Sequence, residues 1–248
     1  MKRFMYFIVF LITICLSYGT SKSQSISVFY DCNEIPGPWN ICGTGDILGP
    51  GEYQHLLEIN DGILEMNIPD AEQWVLLEYV SPTIAQSTNI YIEASVKINS
   101  HNNKRFSPLI GLCSFDPSRH YSNRAVLWYL LDLYPDRVEF LRIDHYEGGY
   151  DITILGSYPV IDLSDIFHKF TLFKHEEGTR EFIIYMDNVP IIEVFNESFE
   201  VPLNAVEIGY GAASGVGISE WDYINFETSA PVSTDQSTWG DIKDQFKK

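Results

Sequence analysis

The chain has 248 residues, 14% of them aromatic, and a formal net charge of −18. An acidic excess of this size repels phosphate backbones and so excludes nucleic acid as a partner. It fits a solvated surface or calcium binding, of which the solvated surface is the preferred reading.

Lys2 and Arg3 open a targeting segment, Phe4 to Leu16 is an apolar run broken only by Thr13, and Ser17, Gly19, Ser21 and Ser23 follow as small residues. The pattern predicts a secretory signal peptide over residues 1–23, because the run is shorter than the roughly 20 residues a membrane span needs. Ile14 before Cys15 is too large for a lipid-attachment site, so cleavage is expected after Gly19 or Ser23. No second apolar run follows. The mature protein is expected to be soluble, without a transmembrane segment, and secreted to the cell envelope or beyond. Losing Lys2, Arg3 and Lys22 makes it about three units more negative still, or about two if cleavage follows Gly19 and Lys22 stays. The remaining length suits one β-sandwich with a large core rather than two domains.

Three cysteines remain: Cys32, Cys42 and Cys113. Cys32 and Cys42 lie close together in a Gly/Pro-rich stretch, and an exported protein can join them in a small loop worth about 2–3 kcal/mol. Cys113 is then a buried thiol on a strand. No zinc spacing occurs.

Residues 27–51 read as an irregular segment crossing one edge of the sandwich, with Trp39 as a plug over the core or an exposed sugar platform, the plug being favoured. Strands are predicted at Ile63–Ile68 and Trp74–Val80, the second ended by Ser81-Pro82. Tyr91 to Ile98 alternates most cleanly: Ile92, Ala94, Val96 and Ile98 share one face, and Tyr91, Glu93, Ser95 and Lys97 the other. Pro108–Phe115 and Ala125–Leu133 are continuously apolar, as central strands covered on both sides should be. Tyr134-Pro135-Asp136 and Glu147-Gly148-Gly149 are turns around strands at Val138–Ile143 and Asp151–Leu155. Asp162 to Phe167 reads as a tight turn or one helical turn. Strands at Lys169–Lys174, Glu181–Met186, Ile191–Phe195, Ala205–Tyr210 and Ser219–Phe226 complete the body. Regular spacing with almost no helical period gives an all-β class, residues 24–227 forming the sandwich.

Residues 228–248 are expected to be a linker and a short C-terminal helical or disordered tail. Trp239, Ile242 and Phe246 fall on one stripe of a helix too short to stand alone.

Several stretches together resemble the concanavalin A-like lectin/glucanase superfamily, within it the laminin-G-like and pentraxin-like jelly rolls. They are the strand and turn Ile184-Tyr185-Met186-Asp187-Asn188, the strand Ile208-Gly209-Tyr210, and the closing Glu220-Trp221-Asp222-Tyr223-Ile224. Asp61-Gly62-Ile63-Leu64 and Ile92–Ile98 fit the same pattern. Asn188 stands where such turns usually carry glycine, a mild departure because Asn tolerates the left-handed conformation. The resemblance covers about residues 51–227 and implies a two-sheet antiparallel jelly-roll sandwich. It implies less about activity, since this superfamily hosts lectins, adhesion modules, glucanases and lyases. The ending Ser237-Thr238-Trp239-Gly240 through Phe246 is similar to that of exported bacterial proteins of varied content.

Glucanases of this fold carry their acids at alternate positions of one strand, close to Glu-x-Asp-x-x-Glu, and this chain lacks that pattern. Asp132, Asp136 and Glu139 come nearest but are separated by a turn. A lyase site drawn from Arg119, His120, Tyr121 and Arg124, or from Arg142, His145 and Tyr146, is more simply a set of strand-end residues. Sugar binding needs flat aromatics with polar groups beside them. Trp128, Tyr129, Tyr146 and Tyr150, with Asp132 and Asp144, are the candidates. Asp187, Asn188 and Asp222 are the candidate ligands should calcium be bound. The expected function is an exported non-catalytic carbohydrate-binding or adhesion module with a glycan or cell-surface partner. A polysaccharide-degrading hydrolase or lyase and a structural domain without a sugar ligand are the alternatives.

Overall fold

The computed structural model describes residues 25–35, 39–43, 46–47, 55–69, 74–101, 108–116, 125–146, 148–160, 162–164, 166–175, 181–195, 202–210 and 217–229. The expected leader, the turn at 176–180, the residues 117–124 and the tail around Trp239 lie outside them.

The strands are, in chain order, β1 (Ser27–Tyr30), β2 (Asn40–Gly43), β3 (Asp46–Ile47), β4 (Leu57–Asn60), β5 (Ile63–Ile68) and β6 (Val75–Val80). One helical turn, α1 (Pro82–Ala85), follows, with Ser81 as its N-cap accepting from the Thr83 N–H. Next come β7 (Asn89–His101), β8 (Leu109–Phe115), β9 (Ala125–Leu133), β10 (Arg137–Tyr146) and β11 (Gly149–Pro159). The chain closes with β12 (His168–His175), β13 (Glu181–Met186), β14 (Val189–Val194), β15 (Ala205–Tyr210) and β16 (Gly217–Ser229).

They form two antiparallel sheets. Sheet A runs β14-β13-β12-β7-β16-β5-β4, with β1 pairing the second half of β16; sheet B runs β11-β10-β9-β8-β15-β6-β2-β3. β8 and β9 are central in sheet B, as their continuous apolarity predicts.

Alternation builds the core between the layers. Ile92, Ala94, Val96 and Ile98 of β7 are all buried in it, together with Leu64, Met66, Phe170, Phe182, Trp221 and Phe226 from sheet A. Sheet B supplies Leu112, Tyr129, Leu131, Phe140, Val206 and Ile208. The sheets meet ring on ring: Phe182 lies 4.7 Å from Tyr129 and 5.0 Å from Phe140 between centroids. Each fully buried side chain of this size stabilises by about 1.5–3 kcal/mol.

Two hairpins turn on paired left-handed residues, Asp61 and Gly62 (φ 51° and 80°) and Asp187 and Asn188 (φ 50° and 68°). These suit the tight turns whose twist matches the strands. Asn188 supplies the conformation glycine otherwise would. At Asp162 a side-chain oxygen accepts from the Ser164 N–H at 2.9 Å, the expected turn chemistry.

Residues 27–51 depart from the expectation of an irregular crossing. Ser27–Tyr30 pairs Ile224–Glu227 of β16, and Asn40–Gly43 pairs Val75–Glu78 of β6. Each run has only four residues, too short for a period-two pattern to stand out, and the second sits amid Gly and Pro. Trp39 is the plug, buried and edge-on to Tyr79 at 6.0 Å. At the other end β16 runs to Ser229, two residues past the expected boundary.

The expected Cys32–Cys42 bridge is not formed. Cys32 is packed in the core between the sheets, whereas Cys42 belongs to an apolar cluster on the outer side of sheet B. The sheet itself stands between the two thiols. Cys113 is a buried thiol on β8.

Candidate functional site

The register of sheet B fixes which side chains share its outer face. One row across the strands is Leu76, Gly209, Leu109, Asp132 and Glu139; the next is Glu78, Glu207, Gly111, Leu130 and Leu141; a third holds Ala205, Cys113, Trp128, Ile143 and Ile152. Leu76, Leu109, Leu130, Leu141 and Ile143 cluster together and are buried. Two glycines let the rows close up. A Cβ on Gly209 would come within 2.3 Å of the Val75 carbonyl oxygen, and one on Gly111 within 2.5 Å of Leu130. The middle of this face is therefore a second core.

Four carboxylates are set into it. Glu78 and Glu207 are direct cross-strand partners, as are Asp132 and Glu139. Directly opposed residues place their Cβ atoms about 4.5–5.5 Å apart, which resembles the carboxyl spacing of about 5–5.5 Å in retaining glycosidases. Access decides the matter. Glu78 is 1% exposed and Glu207 3%. The Cys113 thiol donates to Glu207 Oε2 at 3.2 Å. Burial, then the Glu207 carboxylate, push that thiol well above its ordinary range, so it is no thiolate nucleophile. Asp132 accepts from the Tyr134 hydroxyl at 2.9 Å, and Glu139 from Arg137 Nε at 2.9 Å, with Arg137 lying over the Tyr134 ring. These acids are built into the interior.

Toward β10 and β11 the face opens. His145 lies edge-on to Trp128, 5.1 Å between centroids, and 5.6 Å from Tyr150, which is 51% exposed. Trp128, His145 and Tyr150 thus form a continuous aromatic strip leading from the apolar rows to solvent.

Of the six residues predicted to bind sugar, Trp128, Asp132 and Tyr150 share this face. Tyr129 does not: it is a core side chain stacked on Phe140 and tilted against Phe182. Asp144 pairs with Leu127 in register and points to the core side at the sheet margin, where Arg142 grips it through Nε and Nη2 at 2.9 Å. Tyr146 is on that same side, 54% exposed, its hydroxyl 3.4 Å from Asp151.

The three candidate metal ligands are not brought together. Both oxygens of Asp187 are used, one accepting from the Lys169 N–H at 2.9 Å and the other 2.8 Å from His168 Nδ1. Burial alone would raise the Asp187 carboxyl, but these two partners outweigh it and hold it below the usual carboxylate range. Asp222 sits at a bulge in β16, with β7 between that strand and β12. Among the described residues no group of three His, Cys, Asp or Glu side chains is placed to hold a metal ion.

Sequence reasoning missed Glu78, Glu207 and Glu93. The first two carried a signal, a single acid inside an apolar strand (Val75–Val80 and Ala205–Tyr210). Glu93 of β7 lies on the outer face of sheet A, accepting from the Tyr223 hydroxyl at 2.9 Å and Thr171 at 3.3 Å, and also from Tyr91; Lys169 Nζ is 3.3 Å away.

No family model and no curated protein matches this chain. Solved structures do. It is similar to the kappa-carrageenase of Pseudoalteromonas carrageenovora, solved with a kappa-carrageenan oligotetrasaccharide: 13% identity, TM-score 0.52, covering 85% of this chain and 98% of that one. It is equally similar to the carbohydrate recognition domain of Emp47p, at 11% identity and TM-score 0.52, covering 86% and 100%. A third is the CBM2 module of the evolved Dit of Lactobacillus casei BL23 phage J-1, at 12% identity and TM-score 0.50, covering 86% and 100%. At these identities the likeness establishes the fold, a concanavalin A-like jelly roll, and this fold carries both glycoside hydrolases and carbohydrate-binding domains.

Proposed function

We propose that this concanavalin A-like jelly roll is an exported, non-catalytic carbohydrate-binding or adhesion module whose glycan lies on the β10–β11 margin of sheet B, over Trp128, His145 and Tyr150. The observation that carries the reading is the contrast within one face: its carboxylates are buried, while its aromatic strip reaches solvent. A hydrolase must bring sugar and water to its acid pair, and Glu78 and Glu207 admit neither. A binding module needs only a flat aromatic surface with polar neighbours. Export is supported by the basic start and apolar run of residues 2–16; among the described residues no helix is long and apolar enough to cross a membrane.

A glycan array probed with the whole protein, with and without calcium, tests this. Binding to a set of glycans that Tyr150→Ala weakens about tenfold or more, with no release of reducing ends, is expected. Silence across the array with the fold intact, or steady release of reducing ends, would overturn it.

A further inference from the structure

The outer face of sheet A is more polar than that of sheet B and opens at its β1 edge, whereas toward β12 and β13 Thr171, Phe173 and Ile183 are buried. Its register sets Phe29 (β1), Asn225 (β16), Glu93 (β7) and Thr171 (β12) in one row, with Ile224 and Phe226 of β16 turned into the core. Tyr223 and Glu227, two positions either side of Asn225, share that outer face. Phe29 is 65% exposed. A lone exposed aromatic is ordinary, but the Phe29 ring stacks with Tyr223, with centroids 6.0 Å apart and planes within 25°. Tyr223 thus backs the exposed ring of Phe29, and the pair serves as the platform.

The platform is held in place. The Tyr223 hydroxyl donates to Glu93, and burial followed by that hydrogen bond pushes it well above its usual range, so it stays a protonated donor. Glu93 is itself tied to Lys169 and Thr171. Ordering of the ring is thus complete before any ligand arrives, which removes one cost of binding. Beside the platform stand an amide and a carboxylate, Asn225 Nδ2 reaching Glu227 Oε1 at only 3.4 Å. That long contact leaves both groups with capacity for further partners.

We propose that this face is a second glycan surface, on which Phe29, backed by Tyr223, stacks against the flat side of uncharged pyranose units while Asn225 and Glu227 bond their hydroxyls. Charge selects the ligand class. Carboxylates only accept hydrogen bonds, so the acidic rim matches hydroxyl donors. On a chain of net charge −18 it repels sulfated and uronate sugars. The surface shares a ligand class with the site at β10–β11 but uses none of its residues.

The test is titration of the whole protein with β-1,3- and β-1,4-linked glucose hexamers and with a sulfated galactan hexamer. Phe29→Ala, Tyr223→Ala and Tyr150→Ala are compared, with circular dichroism and Tm confirming the fold. Phe29→Ala should weaken binding of a neutral hexamer about tenfold and leave Tm nearly unchanged, while the sulfated hexamer does not bind this face. In Tyr150→Ala the Phe29-dependent binding should persist. An unchanged affinity in Phe29→Ala, no neutral hexamer bound, or equal binding of the sulfated hexamer at this face would each overturn the proposal. Loss confined to Tyr150→Ala would sink this surface and leave the β10–β11 reading standing.

Discussion

The two outer faces of this sandwich are made by the same alternation yet differ in what reaches solvent. On sheet B the outward positions are Leu76, Leu109, Leu130 and Leu141, with four buried acids among them. On sheet A Tyr91, Lys169 and Tyr223 are linked around Glu93 by hydrogen bonds and an ion pair, with Asn225 beside it in register. Phe29 stands exposed at the β1 edge, while Thr171, Phe173 and Ile183 farther along are buried. An apolar outward row has to be covered and so becomes structure. A polar one can stay wet and meet a ligand. Carboxylates are therefore a poor guide to chemistry in this molecule unless their access is known.

Breaking the buried side should have the largest effect. Tyr129→Ala removes a ring packed between Phe140 and Phe182 and should cost about 3–5 kcal/mol, read as a fall in the urea midpoint. Leu130→Ala, on the outer rows of sheet B, should cost about 2–5 kcal/mol, close to a core change. A cost under about 0.5 kcal/mol, ordinary for open surface, would mean the face is not a second core.

The open side should respond less. Tyr223→Phe loses a hydrogen bond to a half-buried carboxylate and should cost about 1.5–3 kcal/mol at most, by the same denaturant measurement. The smallest effect is expected at Glu65, which lies between Glu58 and Glu220 in register. Burial first, then these two carboxylates, raise its carboxyl above the ordinary range. A raised acid binds its proton more tightly folded than unfolded, so ionised Glu65 costs stability at neutral pH, and the cost fades as pH falls through the raised value. Glu65→Gln should raise Tm slightly at about pH 7, with the gain shrinking toward about pH 4. A gain that grows on acidification would contradict this. Chelation with EDTA should leave Tm unchanged, because Asp187 already spends both oxygens on Lys169 and His168.

The sheets were legible in the sequence wherever a strand was long enough to show its period. β7 declared its two faces through Ile92 to Ile98 against Tyr91 to Lys97, and β8 and β9 declared themselves doubly covered. β1 and β2 were hidden because four residues cannot establish a period, and β2 also sits amid Gly and Pro. The candidate site was half legible. Trp128 and Tyr129 are adjacent on one strand, so alternation alone forbids them a common face, and the same holds for His145 against Asp144 and Tyr146. What no local pattern conveys is register. That Glu78 meets Glu207, or that Phe29 meets Asn225, is decided by pairings across more than a hundred residues.

The most direct test sets Glu207→Gln against Tyr150→Ala in titrations with the glycan that the array identifies. The account expects Glu207→Gln to bind within about twofold of the unaltered protein and Tyr150→Ala to bind about tenfold more weakly or worse, each with its fold intact. Loss of binding in Glu207→Gln with full affinity in Tyr150→Ala would contradict it, and would return the buried acids to the centre of the function.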